Sequence, residues 1–217
     1  MSSAREEILE AVRRALGRER PKSLEAVAAE RAEQLPGQVP RPQWQHDRVA
    51  RFTERLEKAA GSWEPLSDPA GIPAAAARFL EGVEPRRLRL GGHPLLQGLD
   101  WPEGWETAEG PAADAAEWTA GIGVAYAGLA ETGSVVFPSG PQRPTTLNFL
   151  PDHHLVVLRR EDVLDYMEEV WERLLADGGS MPRTVNVITG PSRTADVEQT
   201  IQLGAHGPRR LHVLLLG

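Results

Sequence analysis

Between residues 118 and 217 short, continuous apolar runs alternate with segments of helical spacing, and this restricts the fold more than anything else in the chain. Residues 134–137, carrying Val135, Val136 and Phe137, and residues 155–158, Leu-Val-Val-Leu, read as strands buried on both faces. Residues 160–176 read as a helix with Val163, Leu164, Met167, Val170, Trp171 and Leu174 on its buried side, ended by Gly178 and Gly179. A strand over 184–189, a helix over 194–203 stopped by Gly204, and a last strand over 211–216 follow. Strands alternating with helices imply an α/β fold, a mainly parallel sheet flanked by helices and joined by right-handed crossovers.

The first half is less regular. Ser3-Ala4-Arg5-Glu6 has the form of a capping box, and Ile8, Leu9, Val12, Ala15 and Leu16 then repeat at helical spacing up to Gly17. A one-striped helix of this kind is expected to dock on its own domain, with partner binding as the alternative. Residues 18–44, interrupted by Pro21, Pro36, Pro40 and Pro42, read as a mobile connector with a short helix around 24–35. A helix over 48–60 is capped by Asp47, another runs from Pro73 to Leu80, and residues 86–90 alternate as a strand. Residues 91–118 read as loops with short strands. The expected division is an N-terminal helix and connector, 1–45, before an α/β domain, 46–217.

Composition removes several function classes. The chain has no cysteine, which excludes disulfides, thiolate zinc sites, a cysteine nucleophile and a cysteine-ligated cluster within it. A formal net charge of −7 argues against a nucleic-acid footprint. No window approaches the roughly 20 apolar residues of a membrane span, and no secretory signal is visible, so a cytoplasmic protein is expected. The histidines show no ligand spacing, and no metal site is expected.

In open α/β sheets ligands lie beyond the carboxyl ends of strands. The junction Gly190-Pro191-Ser192-Arg193-Thr194-Ala195-Asp196 fits such a place. Gly190 permits a tight exit from the strand, Ser192 or Thr194 can cap a helix, and the free amides with Arg193 would receive a carboxylate or phosphate. Asp196 equally suits the helix dipole. Glu131, entering the strand that begins at Ser134, is a candidate general base or nucleophile, or else an ion-pair partner of Arg143. His206, in a glycine-flanked turn, is either a titrating group at the site or a turn histidine bonded to backbone.

Three segments together carry a family resemblance: Gly128-Leu129-Ala130-Glu131-Thr132-Gly133-Ser134-Val135-Val136, residues 190–200, and Gly204-Ala205-His206-Gly207-Pro208-Arg209-Arg210-Leu211-His212-Val213. They resemble the LUD-domain family of lactate utilization protein C-like proteins, densely from residue 118 to 216 and thinly between 21 and 111. The resemblance implies the fold of ribose-5-phosphate isomerase, glucosamine-phosphate deaminase and the CoA transferases. It also implies a part in oxidising L-lactate to pyruvate with two iron–sulfur partner proteins, which would hold the clusters this chain lacks the cysteines to bind. No cofactor is expected in this chain itself. By that analogy Glu131 stands where the fold carries an acidic group, and Arg193 with the loop amides would hold a small carboxylate. Two alternatives stay open: a stand-alone enzyme with acyl- or CoA-transferase-like or cyclo-ligase-like chemistry through Glu131, and a non-catalytic assembly protein. Gly121-Ile122-Gly123-Val124 departs from the family pattern, where a Thr- or Asp-bearing turn is usual.

Overall fold

A computed structural model describes residues 4–17, 41–44, 47–110, 118–177, 181–195, 201–203 and 207–217, with backbone alone at 193–195 and 201–203. The chain divides into two units, Met1–Gln43 and Trp44–Gly217. In the first, α1 (Ala4–Ala15) carries Glu6 and Glu7 in its first turn and Arg13 and Arg14 in its last, complementing the helix dipole. Ile8, Leu9, Val12 and Leu16 are all exposed. Ser3 and residues 18–40, with the short helix expected there, lie outside the described residues.

The second unit runs in the order α2 (Arg48–Lys58), β1 (Ser62–Leu66), α3 (Ile72–Phe79), β2 (Arg87–Leu90), β3 (Glu106–Glu109), β4 (Ala120–Val124), β5 (Ala127–Leu129) and β6 (Ser134–Pro138). It continues with β7 (His153–Arg159), β8 (Val163–Leu164), α4 (Met167–Ala176), β9 (Val185–Ile188), β10 (Arg193–Ala195), β11 (Ile201–Leu203) and β12 (Arg210–Leu216). A six-stranded sheet of order β1-β12-β7-β4-β2-β3 is parallel throughout. A smaller sheet, β8-β5-β6-β9, mixes parallel and antiparallel pairs, and β10 pairs with β11 as a hairpin.

The order of layers explains the apolar runs. Leu155 and Val157 of β7, with Leu214 and Leu216 of β12, face α3 through Ile72, Ala75, Ala76 and Phe79. Their neighbours Val156, Leu158, Leu211, Val213 and Leu215 face the other way, onto Phe52 and Leu56 of α2 and Val135 and Phe137 of β6. The far face of the small sheet is closed by Val170 and Leu174 of α4. With both faces covered, every second residue cannot be polar, and the central strands read as unbroken apolar runs.

Several expectations are corrected. The helix expected over 194–203 is replaced, where described, by β10 and β11, with Thr194 opposite Gln202 and Ala195 opposite Ile201. β-branched Thr194 and Ile201 favour an extended backbone, and ten residues with so few apolar positions leave the helical period underdetermined. The strand–loop–helix–strand unit therefore does not exist as one crossover: β9 pairs antiparallel with β6 in the small sheet, while β12 lies between β1 and β7. The helix expected from residue 160 begins only at Met167. Glu169 accepts from the amides of Asp165 and Tyr166 (2.7 and 3.0 Å), fixing that start, and Val163 and Leu164 pair instead with Gly128 and Leu129.

β1, β4 and β5 all lie where no strand was expected. β1 contains Pro65, which fits best at a sheet edge, and β1 is one of the two edge strands of the large sheet. β4 is Ala-Gly-Ile-Gly-Val, poor in strand formers, yet it runs near the centre of the sheet. A Cβ at Gly121 would lie 2.9 Å from Leu147 and Pro151, so the unusual glycine stretch is where a loop packs directly onto strand backbone.

Candidate functional site

The carboxyl ends of β2, β4 and β7 open onto one group of polar side chains. The amide of Gly91 continues β2 by donating to Ile122 of β4 (2.9 Å), and the chain then reaches His93. After β6 the turn at residues 140–143 is closed by bonds between Gly140 and Arg143. It crosses these strand ends: a Cβ at Gly91 would sit 3.2 Å from the Gln142 carbonyl. Arg143 thereby donates from Nε to the carbonyl of Val124 (3.0 Å), the last residue of β4. Its guanidinium lies 5.6 Å from the Tyr126 ring centre, and that of Arg173 lies 4.6 Å from the same ring. Arg173 donates to Asp162 (2.7 Å), and the Tyr126 hydroxyl donates to Asp177 (2.6 Å).

The charges in this group do not cancel. Arg173 is satisfied by Asp162, and Asp177 is taken by Tyr126. Arg143 has no carboxylate within ion-pair distance among the described residues; burial, the largest influence on it, pulls its pKa down. Burial also lowers the pKa of His93, helped by the positive charges of Arg143 and Arg159. The Tyr126 phenol is pushed up to about 12, first by burial and then by its bond to Asp177. A half-buried guanidinium whose acceptor is a backbone carbonyl, beside a neutral histidine, is arranged to receive an anion. An open cleft of about 460 Å³ adjoins the end of β7, lined by Arg159, Arg160, Glu161, Leu216 and Gly217.

The sequence motifs come together elsewhere, around the carboxyl-terminal end of α2. Gly133 (φ 72°) turns β5 into β6 with its Cα against α2, where a Cβ would sit 2.3 Å from the amide nitrogen of Leu56. Gly190 (φ 73°) follows β9 in the same way, 2.1 Å from the Ala59 carbonyl oxygen by that measure. A line of hydroxyls joins the two turns, Thr132 to Ser134 and Ser134 to Thr189, each at 2.6 Å. The third motif closes on the second, because Ser192 donates its amide to Pro208 (2.8 Å).

The turn of Glu131 and the loop of Gly190 and Ser192 are thus neighbours. The backbone amide of Glu131 donates to Asp165 (3.1 Å), and no ion pair joins Glu131 to Arg143. Arg193 and Thr194 lie on β10 by backbone; their side chains, and all of Asp196 and His206, lie outside the described residues. The helix-terminus chemistry expected at this loop has no helix start at Arg193, and the Ser192 amide is already bonded. Sequence reading missed Tyr126, Arg173, Asp162 and His93, and named Arg143 only as a possible ion-pair partner of Glu131. One signal was available: Arg143 stands between Pro141 and Pro144 just after a buried strand, a rigid turn at a strand end.

Among the described residues no cluster of His, Asp or Glu is placed to hold a metal ion, and no helix is long and apolar enough to cross a membrane. Comparison with known proteins then decides the family, for residues 96–216 match the LUD domain. The chain belongs to the LUD domain family. This LUD protein is 31% identical over 165 residues to uncharacterized protein YkgG of Escherichia coli K12, covering 70% of this chain and 71% of that one. It is 33% identical over 141 residues to lactate utilization protein C of Halalkalibacterium halodurans, covering 63% of this chain and 61% of the relative. The fold is similar to the crystal structure of a DUF162 family protein from Deinococcus radiodurans, with a TM-score of 0.60 and 21% identity over 81% of this chain and all of that one.

Proposed function

We propose that this LUD protein serves lactate utilisation by binding a small carboxylate at Arg143, beyond the carboxyl ends of β4 and β7. The relatives named lactate utilization protein C supply the pathway. The carrying observation is Arg143 itself, half-buried, tied through Nε to Val124 and lacking a carboxylate partner among the described residues. The remaining guanidinium nitrogens are free to take a carboxylate as a fork, with His93 as a neutral hydrogen-bonding neighbour. In this reading the chain handles lactate or pyruvate while iron–sulfur partner proteins carry the electrons of L-lactate oxidation. The exposed apolar stripe of Ile8, Leu9, Val12 and Leu16 suits docking to such partners, and deleting residues 1–17 should then abolish co-purification with them while the rest stays folded.

Thermal stabilisation by L-lactate and by pyruvate, measured at low ionic strength, tests the carboxylate site. Arg143→Ala is expected to weaken binding about 10- to 100-fold. Arg193→Ala tests whether the loop after Gly190 supplies a second contact to the same ligand. Unchanged ligand-induced stabilisation in Arg143→Ala would remove the reading. A second reading, acyl or CoA transfer through Glu131, draws on a carboxylate without an ion pair among the described residues at a turn linked to the Thr132–Ser134–Thr189 hydroxyls. It requires purified protein to form a hydroxylamine-sensitive acyl adduct from an acyl-CoA, lost in Glu131→Gln.

A further inference from the structure

His212 belongs to the family-like segment ending in Leu211-His212-Val213, yet neither the carboxylate site nor the glycine turns use it. It lies on β12 directly opposite Ser62, the first residue of edge strand β1. The Ser62 hydroxyl is 2.8 Å from His212 Nδ1, and His212 Nε2 is 3.4 Å from Glu64 Oε1, two residues along the same edge strand. Residues i and i+2 of β1 point to the same side, so one pairing register presents both a hydroxyl and a carboxylate to one imidazole. The ring is fixed from the other side by Phe79, stacked at 4.7 Å and 15°. Arg78 holds Glu64 in place (2.8 Å), and Arg210 donates to the Phe79 carbonyl (2.9 Å). Ser62 itself is exposed, where the chain leaves α2 through Ala60, a non-glycine residue held at φ 61°.

We propose that Ser62, His212 and Glu64 form a second reactive site, a serine nucleophile with its base and orienting carboxylate, which takes acyl groups from small activated esters. A hydroxyl in hydrogen-bond reach of an imidazole whose other nitrogen meets a carboxylate is the arrangement by which serine is activated on unrelated folds. With Nε2–H directed at Glu64, Nδ1 is the basic nitrogen and accepts the Ser62 proton. Ser62 Oγ bonds to the ester carbonyl carbon as His212 takes its proton. The bond to the leaving alcohol then breaks, and His212 returns the proton to that alcohol. Water, deprotonated by the same nitrogen, cleaves the acyl-serine, releasing a carboxylic acid and restoring Ser62. Glu64 is a positioning residue; of the reacting groups it touches only the imidazole.

The test uses the full chain, 4-nitrophenyl acetate and a fluorophosphonate probe. The wild-type protein should acquire one phosphonyl adduct, located by peptide mass spectrometry at Ser62. Absence of an adduct, or one located elsewhere, overturns the proposal without recourse to any variant. Ser62→Ala, at an exposed position, should keep the wild-type melting temperature and lose ester hydrolysis by on the order of 100-fold. Hydrolysis unchanged in Ser62→Ala equally overturns it. Glu64→Gln should move the acid limb of the pH–rate profile to lower pH, since Glu64 is the group that raises the basicity of His212 against burial and the charges of Arg210 and Arg78; Ser62 and Phe79, its other neighbours on this face, carry none. An unmoved limb excludes Glu64 from the site.

Discussion

The glycine turns beside α2 and the polar group beyond β4 and β7 divide the molecule's conspicuous features between them in opposite ways. The turns hold the residues that make the family recognisable, and what they do is pack: Gly133 and Gly190 each press backbone against α2 where no Cβ fits. The strand ends hold the unbalanced charge, and they assemble it from four separated stretches of chain, around His93, Tyr126, Arg143 and residues 159–177. A contiguous motif can mark a contact between backbones, which needs particular residues in a row. A binding site drawn from loop ends needs only one or two residues from each, and leaves no run to notice.

If that division holds, Gly190→Ala should be the most damaging change, costing at least about 3 kcal/mol from the positive φ and the collision with Ala59 together. Denaturant unfolding of Gly190→Ala and Gly133→Ala would measure it; a loss below 1 kcal/mol in both would mean that the turns yield and that packing against α2 is not what their glycines serve. Arg143→Ala is the reciprocal change. It should weaken carboxylate binding about 10- to 100-fold while leaving the unfolding midpoint nearly in place, and a large loss of stability instead would make Arg143 a structural residue.

A third environment calibrates both. His154 on β7 is fully buried against Phe137 (5.5 Å), and neither ring nitrogen has a partner. Burial lowers its pKa to about 4 from the ordinary 6.5. The unfolded chain therefore takes up a proton near pH 6.5 that the folded chain refuses until about pH 4. Its neutral form contributes stability that is whole above pH 6.5 and lost progressively down to about pH 4, by roughly 3 kcal/mol in all. His154→Leu should flatten stability across that window, and an unchanged acid profile would show that the core admits a counter-charge.

The sequence announced what local chemistry controls. Asp47 caps α2 through the Ala50 amide (3.3 Å), Pro73 lies in the first turn of α3, and the apolar runs of β7 and β12 are central strands. It was silent where pairing across the fold decides. Nothing in residues 134–137 says that they join a second sheet, and nothing in Val163 and Leu164 distinguishes a helix face from a two-residue strand beside Gly128 and Leu129. β4 was hidden because its glycines answer Leu147 and Pro151, residues that follow it by more than twenty positions. Arg143 was named only as a partner for Glu131, since its attachment to Val124 exists only once β4 is known to be a strand.

The smallest expected effect probes how firmly the strand-end group is built before any ligand arrives. Burial and the bond to Asp177 keep the Tyr126 phenol protonated up to about pH 12, against the two guanidinium groups over its ring, whose positive charges pull the other way. Because that pKa lies above the unfolded value of 10, the bond's contribution is complete below pH 10 and fades as pH rises through 12. Tyr126→Phe removes the hydroxyl and keeps the ring beneath both arginines. It should cost about 1 kcal/mol at neutral pH and remove the component near pH 12 from the alkaline absorbance titration. If Phe also left carboxylate affinity unchanged, Arg143 would be oriented by Val124 and the ring face alone. A loss of affinity matching that of Arg143→Ala would instead make the phenol–Asp177 bond what holds Arg143 in register, joining packing and binding in the same residues.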